Sequence, residues 1–201
     1  MIYGEGSEPL AIAHRGGAAL APENSLTAFA LASALGLRYL ETGIRVTADG
    51  QLVCFHDDTL ERVTLATGLV RSKPLRDLRR LRINGIEPIP TFDEALDAFP
   101  QQCLTVDLKD QAAIEPLVKS LRRKGVAERV CIAGAWDGWL GHVRSEVPDA
   151  IITNRPDVLR EVLISRDQWT PMPSRYEGPT SRWSLTAAPA DKRPRPTFSS
   201  A

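Results

Sequence analysis

Short apolar runs alternate with helix-spaced segments along most of the chain, and this alternation sets the expected fold. Leu10-Ala11-Ile12-Ala13 ends in His14-Arg15-Gly16-Gly17, which predicts a strand running into a flexible polar loop. Pro22-Glu23-Asn24-Ser25 reads as a helix start, with Asn24 or Ser25 as N-cap. Leu26, Phe29, Ala30 and Ala34 keep helical spacing, and Gly36 closes that helix. From Tyr39 to Asp57, two β-rich runs flank Asp49-Gly50, a short-range hairpin signal. With those two residues as the loop, Val46 faces Val53 and Gly43 faces His56. Ile44, Val46, Val53 and Phe55 then share an apolar face, and Glu41, Gly43 and His56 share the other.

Thr59 to Lys73 lacks periodicity and reads as loop, while Pro74 to Leu81 can form a short basic helix. Thr91-Phe-Asp-Glu94 is a capping box opening a helix, with Phe92, Ala95, Leu96 and Phe99 on one side. Cys103 to Lys109 is a strand that places Asp107 and Lys109, two apart, on one face. Ala113 to Leu121 (helix), Arg129 to Ala133 (strand), Trp139 to Glu146 (helix), Ala150 to Thr153 (strand) and Asp157 to Ser165 (helix) complete the pattern. From Trp169 the composition turns to Pro, Ser, Thr, Arg and Ala with no apolar face. The expected organisation is therefore a domain over 1–168 and a disordered tail over 169–201. Strands alternating with helices predict an α/β fold with a largely parallel sheet, whose functional residues gather at the carboxyl ends of strands. His14, Asp107-Lys109 and Thr153-Asn154-Arg155 all fall at such ends.

Composition narrows the function classes. At 201 residues the chain is long enough to bury a core, and its formal net charge of zero gives no footprint for nucleic acid or an anionic membrane. Cys54, Cys103 and Cys131 each sit inside a predicted strand, which reads as buried reduced thiols. No Cys-x-x-Cys pair or zinc-spaced histidine cluster is present. The first residues lack a basic segment followed by an apolar one, so no signal peptide is expected. No apolar run approaches the roughly 18 residues of a membrane span. The expected compartment is the cytoplasm.

His14-Arg15-Gly16, Pro22-Glu23-Asn24, Glu41, Thr47-x-Asp49-Gly50, His56-Asp57 and Leu60-x-Arg62-x-Thr64 occur in that order. Together they resemble the glycerophosphodiester phosphodiesterase family, and Asp107-Leu-Lys109 and Ile151-Ile-Thr-Asn-Arg-Pro156 are similar to two of its later barrel strands. The resemblance covers Leu10 to Leu163. It implies a variant TIM barrel of the phospholipase-C-like phosphodiesterase type. The implied activity is hydrolysis of a small-molecule glycerophosphodiester to glycerol 3-phosphate and an alcohol, assisted by Ca²⁺ or Mg²⁺. His14 and His56 match the two catalytic histidines, one a general base and the other a general acid. Glu41 matches a metal carboxylate, Asp107 stands where a further carboxylate ligand is usual, and Arg15 and Lys109 match phosphate-holding positions. The chemistry is consistent. Imidazoles titrate near neutral pH, cations stabilise charge developing on phosphoryl oxygens, and hard oxygen ligands favour Ca²⁺ or Mg²⁺.

Two departures from the resemblance change the expectation. The motif Glu-x-Asp reads Glu41-Thr42-Gly43 here, so position 43 brings no ligand and cation binding is expected to be weakened. The chain also offers six strand candidates, with only about fifteen residues between Ala135 and Ala150, against eight strands and about 250 residues in a typical TIM barrel. An incomplete barrel is expected, with an unclosed sheet edge that invites pairing between copies. Three readings follow: a metal-assisted phosphodiesterase of reduced activity, a non-catalytic descendant serving as a binding or interaction domain, or a truncated product with no independent function.

Overall fold

The computed structural model describes residues 3–4, 11–134 and 136–152. The expectations for Thr153-Asn154-Arg155, for a helix over 157–165 and for a tail over 169–201 lie outside these residues.

The elements follow the alternation read from the sequence. β1 (Ile12–Ala13) leads through a loop to α1 (Leu26–Ala34) and β2 (Tyr39–Val46). β3 (Leu52–Cys54), α2 (Leu75–Leu78) and the short hairpin β4 (Arg82–Ile83) and β5 (Glu87–Pro88) follow, then α3 (Phe92–Ala98). β6 (Cys103–Leu108), α4 (Ile114–Lys124), β7 (Val130–Gly134), α5 (Asp137–Glu146) and β8 (Ile151–Ile152) complete the described chain. The Ser25 hydroxyl caps α1 by accepting from the Ala28 amide, and Thr91 and Glu94 form the complete capping box of α3. At the other end of α3, buried Arg129 donates to the carbonyls of Leu96, Phe99 and Gln102, satisfying groups the helix leaves open.

β1, β2, β6, β7 and β8 pair in parallel in that spatial order, and β3 joins β2 antiparallel beside β1. β1 and β8 are the outer parallel strands and do not pair with each other among the described residues, so the sheet is not closed into a barrel. One face carries Leu40, Ile44, Leu104, Val106, Leu108, Val130 and Ile132, and these pack under the helices. The opposite face is graded. Its lower end is apolar, with Tyr39, Cys103, Cys131 and Ile151 clustered around Tyr3. Tyr3 stacks edge-on against Tyr39 at 5.0 Å and shares a 2.6 Å hydrogen bond with the Thr105 hydroxyl. Toward the carboxyl ends the same face turns polar, with Glu41 level with Thr105 and Gly43 level with Asp107.

The hairpin corrects the expected register by one residue. Ile44 pairs with Cys54, Arg45 with Val53 and Val46 with Leu52. The loop has three residues, not two: Thr47 receives the Gly50 amide and donates its own to Gln51, with Gly50 at φ 76°. That is the three-residue hairpin in which the last loop position is left-handed. A one-residue slip reverses every side chain on the second strand. Leu52 and Cys54 therefore join the main core, while Val53 and Phe55 enter a second cluster with Leu60, Val63, Val70, Leu78, Ile83 and Ile89. The segment expected to be plain loop thus carries its own small core beneath the sheet's polar end.

The cysteines are unpaired and buried, as expected, and burial pushes the Cys54 and Cys131 thiols up to about 12. None of the described helices is long and apolar enough to cross a membrane.

Candidate functional site

His14 and Arg15 leave β1 on a turn of left-handed backbone, Arg15 at φ 49°, Gly16 at 75° and Gly17 at 98°. Strained backbone of this kind persists only where its surroundings hold it. Here β2 holds it from both faces. The Arg15 amide donates to Glu41 Oε2 at 2.6 Å, and the Thr42 hydroxyl, on the other face, donates to Asn24 Oδ1 at 2.9 Å. Asn24, itself left-handed and buried, closes the loop by donating its amide to the Arg15 carbonyl at 2.9 Å. Glu41 is thus fixed beside the residues that follow β1, and the His14 side chain stands exposed at that edge.

His56 follows β3. Its Nδ1 lies 2.6 Å from Asp57 Oδ1, and Asp57 in turn accepts from Arg62 Nε. The Arg62 guanidinium also grips Glu23 with both terminal nitrogens, at 2.9 and 2.6 Å, and Arg15 Nη1 reaches the same carboxylate at 3.0 Å. Charged hydrogen bonds therefore run from His56 through Asp57, Arg62 and Glu23 to the Arg15 guanidinium, and the Arg15 backbone amide separately reaches Glu41. Hydrogen bonds from Arg62, with a further contribution from His56, hold the Asp57 carboxyl at about 2 despite partial burial. Burial acts to raise Glu23, but the bonds from Arg62 and Arg15 outweigh it and leave that carboxyl below its ordinary value.

On β6, Asp107 and the following Lys109 pair across 2.5 Å. Gly43 lies level with Asp107, and a Cβ placed on it would sit 3.0 Å from the Phe55 carbonyl oxygen, 3.3 Å from His56 Cα and 3.5 Å from Lys109 Cε. His56 and Lys109 therefore flank the bare position. Arg45, one level above, donates to the carbonyls of His56 (3.0 Å) and Lys109 (3.2 Å), tying β3's end to β6's. A cavity of about 270 Å³ opens beside Lys109, lined also by Arg45, Asp58, Asp110 and Trp139. Asp58 faces that cavity and Asp57 serves His56.

All six residues singled out from the sequence lie at one end of the sheet. Glu41 and Arg15 are in direct contact, as are Asp107 and Lys109, and His56 borders both groups through Gly43. Sequence reasoning missed the parts that join them. Glu23 and Arg62 stood in the ordered motifs without a role, Arg45 in none, and no local pattern connects positions 39 residues apart. His142, outside the site, pairs with Glu115 at 2.8 Å.

The donor set does not make a divalent-cation cage. Among the described residues no three His, Cys, Asp or Glu side chains lie close enough to share an ion. Ca²⁺ takes six to eight oxygen ligands and Mg²⁺ a near-ideal octahedron. Glu41 and Asp107 supply two carboxylates, each with one oxygen already engaged, and Gly43 supplies none.

Histidines, carboxylates and cations thus lie together at the carboxyl ends of a parallel α/β sheet. The chain matches the glycerophosphoryl diester phosphodiesterase family over residues 14–182 and belongs to it. It is 38% identical to a Mycobacterium tuberculosis protein named probable glycerophosphodiester phosphodiesterase 2, over 61% of this chain and 47% of that one. A glycerophosphodiester phosphodiesterase from Caldanaerobacter subterraneus is 32% identical over 62% and 57%. The chain therefore spans about half the length of the curated relatives it matches. Among solved structures, an Oleispira antarctica phosphodiesterase in complex with the product sn-glycerol-3-phosphate aligns at TM-score 0.67 and 28% identity, over 79% of this chain and 72% of that one. A glycerophosphodiester phosphodiesterase from Agrobacterium tumefaciens aligns at 0.66 and 26%, over 70% and 64%. These neighbours bear out the TIM-barrel-like fold class.

The Arg62 bridge gives a pH prediction. Asp57 is depressed from its ordinary value, so its contribution to stability is full above about pH 4 and is lost as pH falls toward 2. Arg62→Met is expected to lower stability by roughly 1 kcal/mol near neutrality, the upper range for a partly exposed pair. The gap in urea midpoint between parent and variant should narrow as pH drops from 5 to 2. A gap that stays constant over that range removes the assigned role of the Asp57–Arg62 contact.

Proposed function

We propose that the chain hydrolyses glycerophosphodiesters to sn-glycerol 3-phosphate and an alcohol. The observation that carries this reading is the meeting of the His14–Arg15 loop, Glu41, His56, Asp107 and Lys109 at one end of the sheet. Family membership and the product named in the Oleispira complex support the substrate class. In this reading Arg15 and Lys109 hold the phosphoryl oxygens and stabilise charge that develops there. The Nε nitrogen of Arg15 is buried without a hydrogen-bond partner among the described residues, a donor the fold leaves over. Asp57 accepts the Nδ1 hydrogen of His56, which leaves Nε2 as the nitrogen with a free lone pair. His56 then serves as general base toward water and His14 as general acid toward the leaving alkoxide. The cavity beside Lys109 takes the alcohol portion.

Glu41 and Asp107, two carboxylates each with an oxygen already engaged, fall short of the oxygen set that Ca²⁺ or Mg²⁺ takes, so no step of this reading runs through an added ion. The family is generally divalent-cation dependent. The second reading, a non-catalytic phosphoester-binding descendant, draws on the bare position at Gly43. The unpaired cysteines favour a reducing, cytoplasmic setting, and glycerophosphodiesters, the deacylated remains of phospholipids, place the reaction in lipid breakdown. We further propose that the outer strands pair between copies; sedimentation showing only monomers at all concentrations would remove that part. A coupled assay for sn-glycerol 3-phosphate release from glycerophosphocholine decides between the readings. Turnover establishes the hydrolase, and binding of sn-glycerol 3-phosphate without turnover establishes the descendant.

A further inference from the structure

We infer that Lys109 occupies the place of a divalent cation in this site, so that phosphate is held on resident cations and needs no added ion. The inference rests on the phosphodiester reading of the same site. Its starting point is the mismatch between the donor set and any hard-ion cage. Position 43 is where a third carboxylate could join Glu41 and Asp107, because it shares their face and lies level with Asp107. A Cβ on Gly43 would touch Lys109 Cε at 3.5 Å, an ordinary contact, beside the closer Phe55 carbonyl oxygen (3.0 Å) and His56 Cα (3.3 Å). The lysine stem thus borders the corner that a third ligand would use. Its ammonium has already taken an oxygen of Asp107 at 2.5 Å.

Charge points the same way. With glycine at 43, two inward carboxylates face the phosphate, and the ammonium neutralises one of them. That leaves one net negative charge, and a third carboxylate would double it, so an anionic substrate would meet stronger repulsion and depend more on an added cation. A lysine ammonium is a compact point charge with three donors, suited to bridging a carboxylate and a phosphoryl oxygen. The Lys109 backbone is held as well, since its carbonyl accepts from Arg45 at 3.2 Å. The ammonium is therefore a fixed cation at the end of an anchored strand.

Calorimetric titration of the full chain tests this. The expected result is that sn-glycerol 3-phosphate binds with the same affinity in chelator as in added Ca²⁺ or Mg²⁺, and that neither ion alone gives saturable heat. Lys109→Met should weaken sn-glycerol 3-phosphate binding by about tenfold or more, the loss of a charged hydrogen bond. Gly43→Asp should create saturable Ca²⁺ binding and make sn-glycerol 3-phosphate binding chelator-sensitive. Its Cβ must gain a few tenths of an ångström from the Phe55 carbonyl, so Gly43→Ala serves as the steric control. If Gly43→Asp does not fold, the parent and Lys109→Met decide the matter. Saturable Ca²⁺ or Mg²⁺ binding by the parent, with sn-glycerol 3-phosphate affinity falling about tenfold in chelator, overturns the inference and leaves the phosphodiester reading intact. Lys109→Met binding as well as the parent also overturns it. Failure to bind sn-glycerol 3-phosphate under either condition overturns both.

Discussion

His56→Ala and His14→Ala are each expected to lower kcat for glycerophosphocholine hydrolysis by about 10²–10⁴-fold, the usual contribution of a positioned acid or base. Neither change should alter the affinity for sn-glycerol 3-phosphate by much, because the proposed phosphate ligands are Arg15 and Lys109. The double variant is expected to be little worse than either single one, since the two imidazoles act in one proton circuit. Asp57→Asn gives an internal check. It keeps the shape beside His56 but weakens acceptance of the Nδ1 hydrogen, so it should lower kcat with little effect on KM. Either single histidine variant keeping more than about a tenth of parental kcat would mean that the protons move elsewhere. Coupled product release, followed alongside the calorimetric affinity, separates these outcomes.

The parts of this arrangement that depend on local chemistry were legible in the sequence. The capping box at Thr91–Glu94, the Ser25 cap, the six strands of the sheet and the shared face of Asp107 and Lys109 all follow from residue type and spacing a few positions apart. The hairpin register was not legible, because Asp49-Gly50 suits both a two-residue loop and the end of a three-residue one. A two-residue type I′ turn would need both Asp49 and Gly50 left-handed, whereas here Gly50 takes that position and Asp49 does not. That single slip moved Val53 and Phe55 into a second core whose other members, Leu60 to Ile89, show no period of their own. The two-residue strands β4 and β5 are too short to show alternation. The charged path through Glu23 and Arg62 exists only once two loops meet. The candidate residues could be named from the order of the motifs, whereas the hydrogen bonds that join them required coordinates.

Gly16→Ala is expected to be the most damaging small substitution in the domain, costing about 3 kcal/mol or more. Two penalties coincide there. At φ 75° an L-residue sits in the left-handed region, which costs roughly 1–2 kcal/mol. The added methyl would also lie 2.1 Å from Cδ1 of Phe29, and overpacking a well-filled core typically costs about 1–3 kcal/mol. Phe29 cannot withdraw, since it is fully buried and stacks edge-on against Phe99 at 5.7 Å. Gly17→Ala supplies the comparison, because Gly17 is also left-handed (φ 98°) but its nearest neighbour would be a Leu20 methyl at 3.2 Å. That variant should lose only the backbone part, about 1–2 kcal/mol. Urea midpoints of the two variants isolate the contact with Phe29. Equal losses would mean that the ring does not press on this turn. The consequence reaches the site, because the turn that Gly16 permits is what delivers the Arg15 amide to Glu41 at 2.6 Å. Where enough folded Gly16→Ala protein survives, its affinity for sn-glycerol 3-phosphate should fall together with its stability, whereas Gly17→Ala should lose stability with affinity largely kept.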